Sequence, residues 1–206
     1  MSKKVNPYLF RLNLNRNWNS FWYSKKSCYS EYLLEDFYIR NYLEKYFKKK
    51  PLGKIMIFKN INYIFIIIYL KKIPNINKLN FSNLKKELSI FTDKSLYLNF
   101  KNISVPDLDV KIIFFYIKKK IESRKSYKGI LKNIISKIFK LKCLGLKIII
   151  NGRINGNIMT RKQIFFYGKI PLQKICSNIR YYSGTAQTFY GSIGIKIWIY
   201  LGDFIY

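Results

Sequence analysis

Positive charge is spread along the whole chain, and it limits what the chain can fold into. The 206 residues include 39 lysines and arginines against 10 acids, a formal net charge of +29. Self-repulsion on this scale destabilises a compact free protein unless a polyanion neutralises it. The cations are scattered and do not cluster beside an apolar anchor, so a membrane surface is a poor match. Nucleic acid is the predicted partner.

The chain is also rich in apolar residues, so it is predicted to fold. Hydrophobic residues make up 49% and aromatic residues 18% of the sequence, whereas a disordered basic tail is poor in both. The longest apolar run, residues 64–70, is far shorter than the roughly 20 residues that cross a bilayer. It is predicted as a buried strand, and no membrane partner is expected.

Hydrophobic periodicity predicts an α+β fold with two domains behind an N-terminal arm. Residues 1–25 carry no sustained period and are predicted as the arm, residues 26–104 as the first domain and residues 105–206 as the second. Helical spacing and short β-branched runs alternate in the first domain in the order αββαβ. The predicted elements are a helix at 29–47, strands at 54–58 and 63–70, a helix at 81–90 and a strand at 95–103.

The second domain is predicted as two helices on a mostly antiparallel sheet. Pro106 suits the first turn of its first helix, with Asp107 and Asp109 near the positive end. A second helix at 126–141 is predicted to bury Ile130, Leu131, Ile134, Ile135, Ile138 and Phe139. Strands are predicted at 146–151, 163–170, 179–182 and 193–200.

The residue types that support catalysis are scarce, so no enzyme is predicted. The chain has no histidine, which excludes histidine-based triads and imidazole metal ligands. Cys28, Cys143 and Cys176 form no CxxC pair and are predicted as reduced core thiols. The NGRINGN segment at 151–157 lacks the third glycine of a dinucleotide site and is predicted as a turn. No cofactor and no small-molecule substrate are expected.

Several motifs follow one another in an order that matches a known family. KKVNPYLFRL begins at residue 3, NWNSFWY at 17, LLEDFYIRNYLEK at 33 and VPDLDVK at 105. GLKIIINGRINGN follows at 145, TRKQIFFYGKIPLQ at 160 and TAQTFYGSIGIKIWIYLGD at 185. Together they resemble the bacterial-type family of small-subunit ribosomal protein three over almost the whole chain.

The resemblance implies a structural role in the head of the small ribosomal subunit, near the entrance of the mRNA channel. Small-subunit ribosomal RNA, mRNA and small-subunit proteins ten and fourteen are the implied partners. The first domain would be a KH-like module of the bacterial type (type II). Two alternatives remain, a free-standing KH-type RNA-binding regulator and a nuclease or lyase acting through a lysine amine.

The first domain departs from the KH pattern at one point. A KH module grips four nucleotides with a GxxG loop between its second strand and the next helix. Between Leu70 and Leu84 this chain has no glycine. We therefore hypothesise that the clamp is lost, leaving Lys71, Lys72 and Lys78 as weak phosphate contacts.

Three groups of cations are candidates for RNA contact. At the mRNA entrance the candidates are Lys125, Lys128 and Lys132. The resemblance matches Lys128 and Lys132 to positions where the family has positive charge. Gly129 stands at a position where the family usually has arginine. A solvated helix face is the alternative for this group. The candidates for ribosomal RNA are Lys3, Lys4, Arg11 and Arg16 in the arm, near Trp18 and Trp22, and Arg153, Arg161 and Lys162 at glycine-marked turns. The tryptophans could instead anchor the core, and the turn cations could simply be solvated.

The surplus of Lys, Ile, Asn, Tyr and Phe is typical of AT-rich codons and suggests a gene in a reduced organelle genome. LLEDFYIR and TAQTFYG resemble the plastid and cyanobacterial branch of the family more than the mitochondrial one. A non-photosynthetic, apicoplast-like plastid is the predicted compartment, with a mitochondrion as the alternative. The first residues lack the features of a presequence, so no cleavage is expected.

Overall fold

The structure is a computed structural model that describes residues 5–12, 17–48, 50–72, 81–92, 94–141 and 143–204. Its chain divides into two units. One unit contains residues 18–104, and the other joins residues from 105 onward to the segment that precedes Trp18. The N-terminal segment is thus shared between the two units, where the sequence predicts a single extended arm.

The described helices and strands follow the predicted α+β order. They are α1 (Pro7–Phe10), β1 (Ser20–Phe21), α2 (Tyr29–Tyr46), β2 (Leu52–Lys59), β3 (Tyr63–Leu70), α3 (Phe81–Ser89), β4 (Ser95–Asn102), α4 (Val110–Glu122), α5 (Tyr127–Lys140), β5 (Gly145–Gly152), β6 (Arg161–Gly168), β7 (Ser177–Thr188) and β8 (Gly191–Asp203). None of these helices combines the length and apolar character that a membrane span requires.

The unit of residues 18–104 has the predicted αββαβ order. Strand β3 pairs antiparallel with β2 and parallel with β4. The short strand β1, which the periodicity does not reveal, adds to β2 in parallel and completes the order β1-β2-β3-β4. The core is built from apolar positions of α2, α3 and the strands, each fully buried isoleucine or leucine contributing about 1.5–3 kcal/mol. Its fully buried members include Ile39, Leu43, Ile57, Ile64, Ile66, Ile68 and Leu88.

Asp36 and Arg40 of α2, four residues apart, form a partly buried junction. Asp36 Oδ2 accepts hydrogen bonds from Arg40 Nε at 2.9 Å and from Ser20 Oγ at 3.0 Å. Arg40 also donates to the carbonyl oxygens of Asn19 and Ile55. The pair therefore ties the segment of β1 to α2 and to β2.

The C-terminal unit has two helices on one face of a sheet with the order β6-β5-β8-β7. All of its described strand pairs are antiparallel. Alternate residues of β5 and β8 face α4 and α5, because successive side chains of a strand point to opposite faces. The buried set includes Leu146, Ile148, Ile150, Ile195, Ile197 and Ile199 from the sheet and Ile113, Ile117, Leu131, Ile134 and Ile138 from the helices.

Two details of the helices correct the sequence predictions. Pro106 does not open α4: residues 106–108 form a separate 3₁₀ turn, and the helix begins at Val110. Asp109 is its N-cap and accepts a hydrogen bond from the backbone N–H of Lys111 at 2.9 Å. Phe139, predicted as buried, is 62% exposed on α5.

The three cysteines are free but lie in different environments. Cys143 is buried, and its thiol contacts the carbonyl oxygens of Tyr200 and Gly145 at 3.1 and 3.2 Å. Burial raises the pKa of this thiol. Cys28 is exposed and Cys176 is half-buried. The prediction of core thiols is therefore right for Cys143 and wrong for Cys28.

Candidate nucleic-acid interface

Helix α5 presents a row of cations on the face opposite to its core contacts. Ile130, Ile134 and Ile138 are buried on one side of the helix. Lys128 and Lys132 are exposed and four residues apart, so they lie on one face. Lys125 is exposed just before the helix. Since the isoleucines fix the rotation of α5, the two lysines of the helix are held in a defined direction.

Gly129 lies beside this row and is exposed. A Cβ atom built on it meets nothing within 4 Å. Packing therefore does not explain the glycine, and a larger side chain would fit at this position.

The structure gives Arg11 a place that differs from the one its sequence context predicts. Its side chain is 1% exposed. Nη1 donates to the carbonyl oxygen of Pro7 at 3.0 Å, and Nη2 lies 3.0, 2.7 and 3.0 Å from Leu172 O, Lys174 O and Ser177 Oγ. Burial lowers the pKa of this guanidinium. Arg11 therefore joins the N-terminal segment to the loop before Ser177 within the C-terminal unit. Its guanidinium is buried and is not accessible to a phosphate.

The other predicted cations of the arm, Lys3, Lys4 and Arg16, lie outside the described residues. The nearby tryptophans differ from each other. Trp18 is exposed, whereas Trp22 is half-buried, with its ring centroid 5.5 Å from that of Tyr29 and 5.9 Å from that of Tyr32. Trp22 is therefore anchored to the protein by its neighbouring rings, whereas Trp18 is not buried.

The three candidate cations at the turns do not form one cluster. Arg161 and Lys162 are exposed neighbours at the start of β6, so they point to opposite faces of the sheet. Arg153 is half-buried; its Nε donates to the carbonyl oxygen of Asn157 at 2.9 Å. The guanidinium carbon of Arg153 is 5.8 Å from the ring centroid of Tyr190.

Lys59 is a buried cation that its sequence does not distinguish from the exposed ones. Its ammonium donates to the carbonyl oxygen of Tyr32 at 2.6 Å and to Glu35 Oε2 at 3.1 Å. Burial lowers the pKa of Lys59, while the hydrogen bond to Glu35 opposes this shift. Like Arg11, this lysine serves the fold, so the positive surface is smaller than the charge count suggests.

A cleft in the C-terminal unit, which the sequence does not reveal, gathers cations and aromatic rings. Three turns line it: the α4–α5 connection, the turn after β5 and the β7–β8 turn. We call it the three-turn cleft; its volume is about 400 Å³. Its cations and rings include Arg124, Lys125, Arg153, Phe189 and Tyr190. The only signal in the sequence is the Phe-Tyr-Gly at 189–191 between two strands.

The unit of residues 18–104 has an exposed apolar face on α2. Leu33, Leu34, Phe37 and Tyr38 are exposed there, and the ring of Tyr38 stacks on that of Phe91 at 5.9 Å. A surface helix normally has one apolar stripe, and that stripe faces the core. Contiguous exposed apolar surface marks a site of macromolecular contact.

Comparison with known proteins assigns the chain to a family. The family model described as ribosomal protein S3, C-terminal domain, matches residues 117–199. The small ribosomal subunit protein uS3 of Pelagibacter ubique is 36% identical over 211 aligned residues, which cover 98% of this chain and 91% of that protein. The chain belongs to the uS3 family.

Two further uS3 proteins show similar agreement. That of Karelsulcia muelleri is 39% identical, with 98% of this chain and 90% of the relative covered. That of Dictyoglomus turgidum is 35% identical, with 98% and 84% covered. The predictions of a structural ribosomal protein, of a ribosomal location and of a non-enzymatic role are confirmed by this membership.

Proposed function

We propose that this uS3 protein lies in the head of the small subunit, beside the entrance of the mRNA channel, and binds both ribosomal RNA and mRNA. The observation that carries the proposal is the exposed Lys128 and Lys132 row on α5, held by the buried isoleucines of the same helix. Lys125 extends the positive surface before the helix. A net charge of +29 supports RNA as the partner.

The physical task is neutralisation in a fixed geometry. Each lysine or arginine that meets a phosphate displaces a condensed counterion, and this release favours binding at low salt. Contacts to the phosphate backbone position a protein and carry no sequence information. A folded unit that holds its lysines at set spacings therefore places the RNA as well as attracting it.

At the mRNA entrance, Lys125, Lys128 and Lys132 contact the phosphates of the incoming message. Gly129 stands where the family usually has arginine, so one cation of the row is absent. We infer that unwinding of structured messages is weaker than in relatives that have the arginine. The open space around Gly129 supports this inference, because nothing in the fold requires a glycine there.

For ribosomal RNA, we propose contacts from Arg161 and Lys162, which are exposed, and from Arg153, which is half-buried. We also propose contacts from Lys3, Lys4 and Arg16 on their sequence context alone, because these residues lie outside the described part of the chain. Arg11 is withdrawn from it, because its guanidinium is buried. Loop arginines suit this role because their planar donors match phosphate oxygens in pairs.

The KH-like unit is proposed to keep its fold without the nucleotide clamp. The sequence between Leu70 and Leu84 supplies no glycine for a GxxG loop, and residues 73–80 lie outside the described part of the chain. Its contribution to RNA binding then rests on lysines such as Lys72, which is exposed. Such contacts are weak and not sequence-specific.

Small-subunit proteins ten and fourteen are the proposed protein neighbours. What supports a protein contact is the apolar face of α2, where Phe37 is 58% exposed. The same helix carries two exposed acids, Glu31 and Glu44. This surface suits a basic protein better than RNA.

The proposed compartment is a non-photosynthetic plastid, with a mitochondrion as the alternative. The surplus of amino acids with AT-rich codons and the motifs LLEDFYIR and TAQTFYG support it. Sedimentation of an organelle lysate tests compartment and function together. The chain is expected to travel with the small subunit and to stay there at moderate salt. A free-standing regulator, the rival proposal, would remain in the soluble fractions, and that result would overturn the ribosomal one.

A further inference from the structure

The β7–β8 turn presents two aromatic rings at the mouth of the three-turn cleft. Phe189 is 83% exposed. Its ring centroid is 5.6 Å from that of Tyr190, with the two planes 88° apart. An exposed phenylalanine at the tip of a turn adds little to a core. Its ring face is available to a ligand.

Tyr190 is held in place as a wall of the same cleft. A Cβ atom on Gly156 would lie 3.0 Å from the Tyr190 ring, so the ring rests against the glycine backbone. Gly156 has a φ of +77°, a region that favours glycine. The guanidinium of Arg153 lies over the ring at 5.8 Å. Tyr190 is therefore fixed by the turn after β5, whereas Phe189 extends into solvent.

Cations surround these rings. The guanidinium carbon of Arg124 lies 5.9 Å from the Phe189 centroid, and Lys125 beside it is exposed. One acid, Glu122, also lines the cleft; its Oε1 accepts from the backbone N–H of Gln187 at 3.3 Å and is 4.0 Å from Lys118 Nζ. Three cations against one acid leave the cleft positive, so its ligand should carry negative charge.

We propose that the three-turn cleft binds an unstacked nucleotide of single-stranded RNA, with its base on the ring of Phe189 and its phosphate on Arg124, Lys125 and Arg153. A ring face beside cations is the usual arrangement for binding single strands, because every base has a π face. The cleft volume of about 400 Å³ falls within the range of roughly 300–1,000 Å³ that small ligands occupy. A stacked duplex offers no free base face to such a site.

This inference rests on the proposed ribosomal function and deepens it, since it names one site and one form of RNA. Because Lys125 belongs to both the α5 surface and the cleft, the bound nucleotide could come from ribosomal RNA or from mRNA. The chemistry of recognition is the same for the two sources. Crosslinking in assembled small subunits, with and without mRNA, separates them.

The first test measures binding of a fluorescein-labelled single-stranded RNA, and of the matching duplex, to the full purified chain. Phe189→Ala is expected to weaken single-strand binding by roughly 5- to 140-fold, the range for loss of one stacked base. Phe189→Trp keeps a ring and should retain the affinity. Duplex binding should change less than twofold, because the charge is unaltered.

Phe139→Ala is the matched control. Phe139 is also an exposed phenylalanine of the C-terminal unit, and it does not line the cleft. It should leave single-strand binding unchanged. Equal effects of the two alanine variants, or no effect of Phe189→Ala, would overturn the proposal.

The second test identifies the RNA. A photoreactive phenylalanine analogue replaces Phe189, and assembled small subunits are irradiated with and without mRNA. A crosslink to ribosomal RNA in both samples, or to mRNA only when it is present, supports the cleft and names its source. A crosslink to protein alone overturns it. Co-sedimentation of the same variant tests the ribosomal role separately, so a chain that sediments but does not crosslink to RNA rejects the cleft alone.

Discussion

Nη2 of Arg11 lies 3.0 Å from Oγ of Ser177, although 166 positions separate the two residues in the chain. The same nitrogen lies near the carbonyl oxygens of Leu172 and Lys174, in the loop before β7. The N-terminal segment and the C-terminal unit therefore meet at one buried guanidinium. Because the chain is synthesised from its N-terminus, this contact can form only after residue 177 has been made.

Arg11→Met is expected to lower the free energy of unfolding of the C-terminal unit by about 2–4 kcal/mol. The substitution fills part of the space but leaves buried carbonyl oxygens without a charged donor. Urea unfolding of both proteins measures the change, and hydrogen exchange of the β7 and β8 amides assigns it to the C-terminal unit. Arg161→Met removes an exposed arginine of the same unit and should change stability by less than about 0.5 kcal/mol. Equal losses in both variants would contradict a stabilising role for the buried hydrogen bonds of Arg11.

How far the sequence predicts the fold is illustrated by β7. The sequence predicts a strand at 179–182, but the strand extends from Ser177 to Thr188. Its second half contains Ser183, Gly184 and Thr185, residues without an apolar alternation. Gly184 is small because the ring of Phe114 lies against it, 2.6 Å from where a Cβ would stand. Pairing with β8 as far as Thr188 sets the length of β7, and packing against α4 selects the glycine; periodicity reports neither.

The candidate interface was predictable only in part, for a related reason. Lys128 and Lys132 are recognisable because a helix period fixes which face they share. Arg11 and Lys59 look like any other cation in the sequence, yet carbonyl groups from distant segments bury them. The three-turn cleft likewise combines turns that are far apart in the chain. Contacts between distant segments bury these cations and form the cleft, and the local sequence pattern does not predict such contacts.

Gly129→Ala is expected to raise the free energy of unfolding of the C-terminal unit by about 0.5–1 kcal/mol. Gly129 is the third residue of α5, where glycine costs conformational entropy relative to alanine, and the added methyl group meets nothing within 4 Å. Thermal unfolding measures the gain. The same change at Gly184 should destabilise the unit, because the new Cβ would collide with Phe114. Effects of the same sign at both positions would contradict this account.

Replacing both Lys128 and Lys132 with glutamine is expected to reduce the salt dependence of RNA binding. For single strands, each lost phosphate contact lowers the slope of log K against log salt by about 0.7, so the double variant should lose about 1.4. Titrations of one RNA at several salt concentrations measure the slope. Lysine-to-arginine changes at the same positions keep the charge and should keep the slope. An unchanged slope in the glutamine variant would show that these lysines do not touch phosphate.

Asp203 and Lys174 make an ion pair whose contribution should depend on pH. Lys174 Nζ lies 2.6 Å from Asp203 Oδ2, and the hydroxyl of Tyr200 donates to Oδ1 at 2.9 Å. The hydrogen bond from Lys174, with that from Tyr200, lowers the pKa of Asp203 below its ordinary 3.8. The hydrogen bond to Asp203 raises the pKa of Lys174 above its ordinary 10.5.

The sign of each shift sets the pH window. Because the pKa of Asp203 is lowered, its stabilisation is present above pH 3.8 and is lost as the pH falls through the pKa of the folded state. Because the pKa of Lys174 is raised, its stabilisation is lost only as the pH rises above 10.5. A double-mutant cycle of Asp203→Asn and Lys174→Met should therefore show coupling at about pH 7 that shrinks toward about pH 2. Thermal unfolding of the four proteins at both pH values measures it. A coupling that is as large in acid as at neutral pH would mean that the carboxylate charge does not stabilise the end of β8.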